Sequence, residues 1–247
     1  MKKLLVLLAG MTLAGCASLP ENAKADPRDP WERFNRASFK VNDALDRAVL
    51  RPVARGYVKV TPRLVRTGIS NFFDNLETIN TLVNDTLQGK MRSAGHDTAR
   101  LLLNSTLGLG GLFDPATAAG LDKNDEDFGQ TLGKWGVKSG PYVMLPLLGP
   151  STVRDTAARG VDTLADPSRY LEDDSTRYTI TAVEVLDMRA GLLDLDAQLA
   201  QSFDRYAFVR NAWLQRRDYK VSDGAVSDDL EDEEMLEEPA SEQAPPQ

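Results

Sequence analysis

The sequence predicts an all-α domain, and three observations carry that expectation. Apolar residues recur at steps of three and four over long stretches, strand-like alternation is scarce, and aromatic content is only 7%, low for packed sheets. Of the 247 residues, 42% are hydrophobic. About 200 residues remain for one core once the two termini are set aside. No internal repeat divides them.

The N-terminus is punctuated for export. Met1-Lys2-Lys3 is a short positive end, Leu4 to Leu13 an apolar run, and Ala14-Gly15 a pair of small residues, so residues 1–15 read as a cleaved signal peptide. The run falls short of the ~20 residues that a membrane-crossing helix needs. Leu13-Ala14-Gly15-Cys16 resembles the lipobox, whose cysteine takes a diacylglycerol on sulfur and, after cleavage, usually a further acyl chain on its amino group. Cys16 is the only cysteine, so the mature chain can form no internal disulfide, and a modified thiol suits an oxidising envelope. Acyl chains anchor firmly, at about 0.8 kcal/mol per buried methylene. Ala17 stands where an aspartate would resemble an inner-membrane retention signal, so outer-membrane delivery is expected. Residues 16–28 then form a lipidated linker and 29–222 the helical domain.

Within that domain the elements follow in order. Trp31, Phe34, Val41 and Leu45 fit a first helix. Thr61-Pro62 reads as an N-cap with Pro at the first helical position, Gly89 as a stop, and Val65, Ile69, Phe72, Leu76, Ile79, Val83 and Leu87 as one apolar face between them. A helix over Leu101–Leu107 ends in the glycines of Leu107-Gly108-Leu109-Gly110-Gly111, and Asp114-Pro115 is a further cap-and-N1 pair. The stretch Pro141–Pro150 is apolar but broken by prolines, which predicts a loop, either buried or dipping into lipid. Ser151 then caps another helix, and Val183, Leu186, Ala190, Leu193, Ala197 and Ala200 trace a last stripe. Such stripes either pack into a core or, in a chain tethered at a bilayer, lie in its interface.

Charge and chemistry exclude several function classes. The formal net charge is −8, but residues 223–247 hold ten Asp or Glu and no Lys or Arg, so the body is near neutral and carries no basic stripe for nucleic acid. The acidic, aromatic-free segment 223–247 has the composition of a disordered tail. A single histidine, His96, and no free thiol argue against zinc and against a Ser-His-Asp triad. Gly89-Lys90 is followed by Met91, and no Gly-Lys-Ser/Thr follows the glycine cluster, so no phosphate loop is present. No catalytic residue, metal site or cofactor is expected.

A resemblance adds what these patterns leave open. Asp29-Pro30-Trp31-Glu32-Arg33-Phe34-Asn35-Arg36, Leu50-Arg51-Pro52, Asn71-Phe72-Phe73-Asp74-Asn75-Leu76, Asn104-Ser105-Thr106-Leu107-Gly108, Gly110-Gly111-Leu112-Phe113-Asp114, Phe128-Gly129-Gln130-Thr131-Leu132-Gly133, Gly140-Pro141-Tyr142, Arg154-Asp155 and Gln215-Arg216-Arg217 resemble the MlaA (VacJ) lipoprotein family over roughly 26–220. That resemblance implies a ring of amphipathic helices in the periplasmic leaflet of the outer membrane, around a polar central channel. It implies removal of mislocalised phospholipids from the outer leaflet and their transfer to a soluble periplasmic phospholipid carrier, with trimeric outer-membrane porins as partners. A porin-associated scaffold without transport and a periplasmic lipase are the rival classes.

Glycine, proline and charge converge after residue 107. Gly108, Gly110 and Gly111 are candidates for a flexible gate, because glycine reaches backbone conformations closed to other residues. Arg154, Asp155 and Asp162 are candidates for a channel wall, since charge is costly in lipid unless it faces water or a headgroup; a solvated periplasmic face is the alternative.

Overall fold

The computed structural model describes residues 26–225. The predicted signal peptide, Cys16, most of the linker and the acidic segment beyond 225 lie outside the described residues.

Helix α1, Glu32–Leu45, passes through a π-helical turn, Asp46–Leu50, into α2, Arg51–Val60. Pro52 lacks the N–H that a continuous ladder requires, and the ladder slips into the wider π-turn just ahead of it. Thr61 is extended, as a residue before proline tends to be, and Pro62 itself takes the cap position of α3, Arg63–Leu87, one residue later than the sequence predicts. Gly89, at φ 76°, turns the chain into α4, Met91–Thr106, which starts well before the predicted Leu101. Asp114 accepts from the Thr117 amide to start the short α5, Pro115–Ala118, as its cap signature predicts. Asp127 does the same for α6, Phe128–Lys134, through the Gln130 amide.

The proline-broken stretch is a two-stranded antiparallel hairpin, not the predicted loop. β1, Tyr142–Leu145, pairs with β2, Gly149–Thr152, with Met144 opposite Pro150. Both strands are edges, so Pro150 removes no donor that a third strand would need. Helix α1 supplies that missing partner from its side chains. Asn35 donates to the Tyr142 carbonyl at 3.1 Å and accepts from the Met144 amide at 2.8 Å. Two turns on, Asn42 donates to the Leu145 carbonyl at 2.9 Å and accepts from the Leu147 amide at 2.7 Å.

Helix α7, Val153–Ala165, is capped by Thr152 rather than the predicted Ser151, which is buried in β2. The last stripe is also two helices rather than one. α8, Asp174–Gly191, ends at its glycine, a 3-10 turn covers Leu193–Leu195, and α9, Asp196–Gln201, follows. α10, Arg205–Val221, is capped by Asp204.

These elements close a ring. α1 continues into α2, α2 packs on α8, α8 on α3, α3 on α7, α7 grows out of β2, and β1 lies against α1. α10 braces the circuit by touching α6, α9 and β2.

Burial around the ring is inverted relative to a water-soluble helical bundle. Asn35, Thr81, Asn84, Asp85, Asp97, Gln130 and Thr131 are each 1% exposed or less, whereas Val60 and Leu64 are 78% and 74% exposed. On α3 the apolar stripe read from the sequence is present, but its members Val65, Val83 and Leu87 face outward while Asn75, Thr78, Thr81, Asn84 and Asp85 are buried. The inward groups are satisfied by one another: Thr131 donates to Asn84 at 2.7 Å and Gln88 to Glu126 at 2.8 Å. Tyr142, Met144, Tyr206 and Leu214, with Phe39, Val209 and Trp213 against them, form a small apolar cluster beneath the hairpin.

Candidate functional site

Three helices each turn one face to a common cavity of about 750 Å³. Ser70, Asp74, Glu77 and Asn80 recur at helical spacing on α3, Arg159, Asp162 and Thr163 on α7, and Ile180, Glu184 and Asp187 on α8. A second cavity of about 210 Å³ shares Arg159, Asp162 and Arg216 with the first and continues to Asp127, Asp155 and Arg217. The two form a polar passage along α7.

The charges along this passage are fixed in different ways. Asp162 accepts from the Phe128 amide at 2.8 Å, at the N-terminus of α6, and from Asn80 at 3.2 Å. Burial nevertheless holds its carboxyl above the ordinary range. Asp187 accepts from Ser70 at 2.6 Å and from Tyr57 at 3.0 Å; burial and then this bond push the Tyr57 phenol up to about 12. Arg217 grips Asp127 through two bonds, at 2.5 and 2.7 Å, and reaches Asp155 at 2.9 Å. Burial opposes its charge, but these carboxylates outweigh burial and raise its pKa. Burial also raises Glu184, and Asp166 and Glu77 raise it further. Lys123, on the loop before α6, pairs with Asp74 and, at 3.5 Å, with Glu77.

The sequence-predicted residues fall in different places. Asp162 stands on the wall of both cavities, and Asp155 on that of the smaller one. Arg154 is buried; it donates to Asp155 at 2.9 Å and to the Val137 carbonyl at 3.3 Å, facing Gly133 rather than the larger cavity. Gly108, Gly110 and Gly111 form the turn after α4 and are not among the residues lining either cavity. Gly111, at φ 96°, packs so closely on α3 that an added Cβ would meet Asn75 at 2.7 Å, whereas Gly110 opens onto free space.

Ser70, Glu77, Asn80, Glu184 and Asp187 were not singled out from the sequence. Their signal is the polar periodicity opposite each apolar stripe, which sequence reasoning assigns to solvent. The assignment reverses once the apolar faces point out.

Comparison with known proteins agrees with this architecture. A family model described as MlaA lipoprotein matches residues 27–220. The intermembrane phospholipid transport system lipoproteins MlaA of Shigella flexneri and of Escherichia coli K12 are each 37% identical over 248 residues, covering 93% of this chain and 97% of theirs. The protein of the same description from Haemophilus influenzae is 31% identical over 92% of this chain and 93% of its own. A solved structure from work on the structural basis for maintenance of bacterial outer membrane lipid asymmetry superposes with a TM-score of 0.70 at 41% identity, covering 78% of this chain and 98% of that one. Sequence match and ring architecture coincide over the same span, and on both grounds the chain belongs to the MlaA lipoprotein family.

Proposed function

We propose that this protein moves phospholipid out of the outer membrane, taking molecules mislocalised to the outer leaflet and delivering them to a soluble periplasmic carrier, and so maintains lipid asymmetry. The observation that carries the reading is the inverted burial around a cavity. A ring with leucine and valine outward and carboxylates, amides and guanidinium groups inward lets acyl chains stay in hydrocarbon while a headgroup passes through the polar centre. Among the described residues no helix is long and apolar enough to cross a membrane, which suits a ring lying in one leaflet. Lipid on Cys16 holds it there, and trimeric porins are its neighbours.

Nothing in this mechanism breaks a bond. Asp162, Asp155 and the α3 and α8 residues facing them line the headgroup path, and the Gly108–Gly111 turn, braced on Asn75, adjusts the ring outside the path.

The test is a strain lacking the protein, in which surface-exposed phospholipid is measured. We expect it to rise and to be restored by the wild-type chain. A chain carrying Thr163→Trp, which places a bulky ring in the cavity, should reach normal abundance and porin association without restoring asymmetry. Full restoration by the plugged variant would leave the scaffold reading in its place, and release of fatty acid or lysophospholipid by the purified protein would establish a lipase.

A further inference from the structure

Resting on the transport reading, we infer that the cavity selects zwitterionic over anionic phospholipids, with Arg159 receiving the phosphate and Glu184 the ammonium of a phosphoethanolamine headgroup. The cavity wall carries seven carboxylate residues against three cations. Two of those cations are committed: Lys123 to Asp74 and Glu77, and the largely exposed Arg216 to Asp125 at 3.8 Å. Arg159 has no carboxylate within ion-pairing distance among the described residues, and spends its protons on the hairpin carbonyls of Leu148 and Pro150, each at 3.2 Å. The nearby acids Asp127 and Asp155 are bound by Arg217. Desolvation disfavours the Arg159 charge. A partly desolvated guanidinium without an ion pair, at the junction of the two cavities, is a site for an anion.

Glu184 presents the complementary vacancy in charge. No cation among the described residues pairs with it, it makes no hydrogen bond, and its neighbours Asp166 and Glu77 repel it. An entering ammonium relieves that repulsion and a second anion aggravates it. The two orphan charges face one space, and their surroundings follow the same gradient. Arg159 and Asp162 on α7 and Asp166 at its C-terminal cap run from positive to negative over about 10 Å. A guest with phosphate and ammonium joined by a two-carbon link satisfies both ends. Phosphatidylglycerol carries the phosphate alone and meets the excess of carboxylates uncompensated.

The experiment uses the full-length lipidated protein, incubated in detergent with an equimolar mixture of phosphatidylethanolamine and phosphatidylglycerol, repurified, and its bound lipid quantified by mass spectrometry. Wild type should retain phosphatidylethanolamine over phosphatidylglycerol by about fivefold, the upper range of one partly screened ion pair. Glu184→Gln should bring the ratio near parity by lowering retained phosphatidylethanolamine, Glu184→Lys should invert it, and Arg159→Gln should lower both lipids together. Because Glu184 makes no hydrogen bond and its neighbours repel it, neither variant should melt below wild type. Parity in the wild type, or a ratio that Glu184→Lys fails to move, overturns the selection while bound phospholipid leaves the transport reading standing. Absence of bound phospholipid from every form overturns both.

Discussion

Two sides of the ring are built from the same residue types and held in opposite ways. On the seam where α1, the hairpin and α10 meet, each buried charge is matched. Asp29 accepts from Asn35 at 2.7 Å, from Arg210 at 3.1 Å and from the Tyr206 hydroxyl, while Arg36 meets Asp204 at 2.6 Å and Arg205 meets Asp43 at 2.6 Å. Tyr206 stacks edge-on against Phe39 and Tyr142 there. Across the ring, where α3, α7 and α8 face one another around open space, Arg159 and Glu184 stand without an ion pair among the described residues. The difference separates the two uses of buried charge: compensated, it cements the seam around its small apolar cluster; uncompensated, it leaves a surface ready for a guest.

The comparison breaks most visibly at Asp29. Asp29→Ala leaves the Tyr206 hydroxyl without its acceptor and Arg210 with Asp26 as its one remaining carboxylate, and chemical denaturation should show a loss of about 3 kcal/mol. Next in size is the glycine turn. Gly111→Val forces a β-branched residue to φ 96° against Asn75 and should cost about 2–3 kcal/mol of stability, while Gly110→Ala, with space around its Cβ, should cost about 1 kcal/mol.

A pH experiment sharpens the comparison between matched and unmatched charge. Asp85 on α3 and Asp97 on α4 are both fully buried, and one amide nitrogen of Asn124 contacts Asp85 at 3.0 and 3.1 Å and Asp97 at 3.4 Å. Burial first, then the neighbouring Asp97, raises Asp85 from 3.8 to about 7. A carboxyl raised on folding contributes fully below its unfolded value and loses that contribution as pH climbs through the folded value. Stability should therefore fall between about pH 4 and pH 7. Asp85→Asn should flatten this fall and gain on the order of 1–2 kcal/mol at pH 8. A steeper decline in the variant would show that the pair is not the source.

The smallest stability effect belongs to the cavity wall and the outer belt. Thr163→Trp and Leu64→Asp should each shift unfolding by less than about 0.5 kcal/mol in detergent, since neither side chain is buried. The first should abolish restoration of asymmetry, and the second should weaken membrane retention of a chain whose Cys16 is replaced by Ser.

Local chemistry was legible in the sequence and spatial sense was not. Gly89 and the Asp114-Pro115 cap stand as read, because caps are settled by a few neighbouring residues. The apolar period of α3 was readable too, but a period states only that two faces differ, not which one meets the protein. The cost of charge in lipid points to Asp162, which lines both cavities, whereas Glu77 and Glu184 lie on faces that resemble ordinary solvated ones. The hairpin was missed because its third partner is a pair of asparagines on α1, more than a hundred positions away in the chain. No window along the sequence contains both.

The clasp at Asp29 has a mechanical consequence. Asp26 meets Arg210 at 3.3 Å, the Arg28 carbonyl accepts from the Tyr142 amide at 2.8 Å, and Asp29 is locked between α1 and α10. A load pulling on the chain ahead of Asp26 is therefore shared among three elements within four residues of its point of entry. The strain ends in the cemented seam, and the opposite wall, where the cavity lies, is left out of that path.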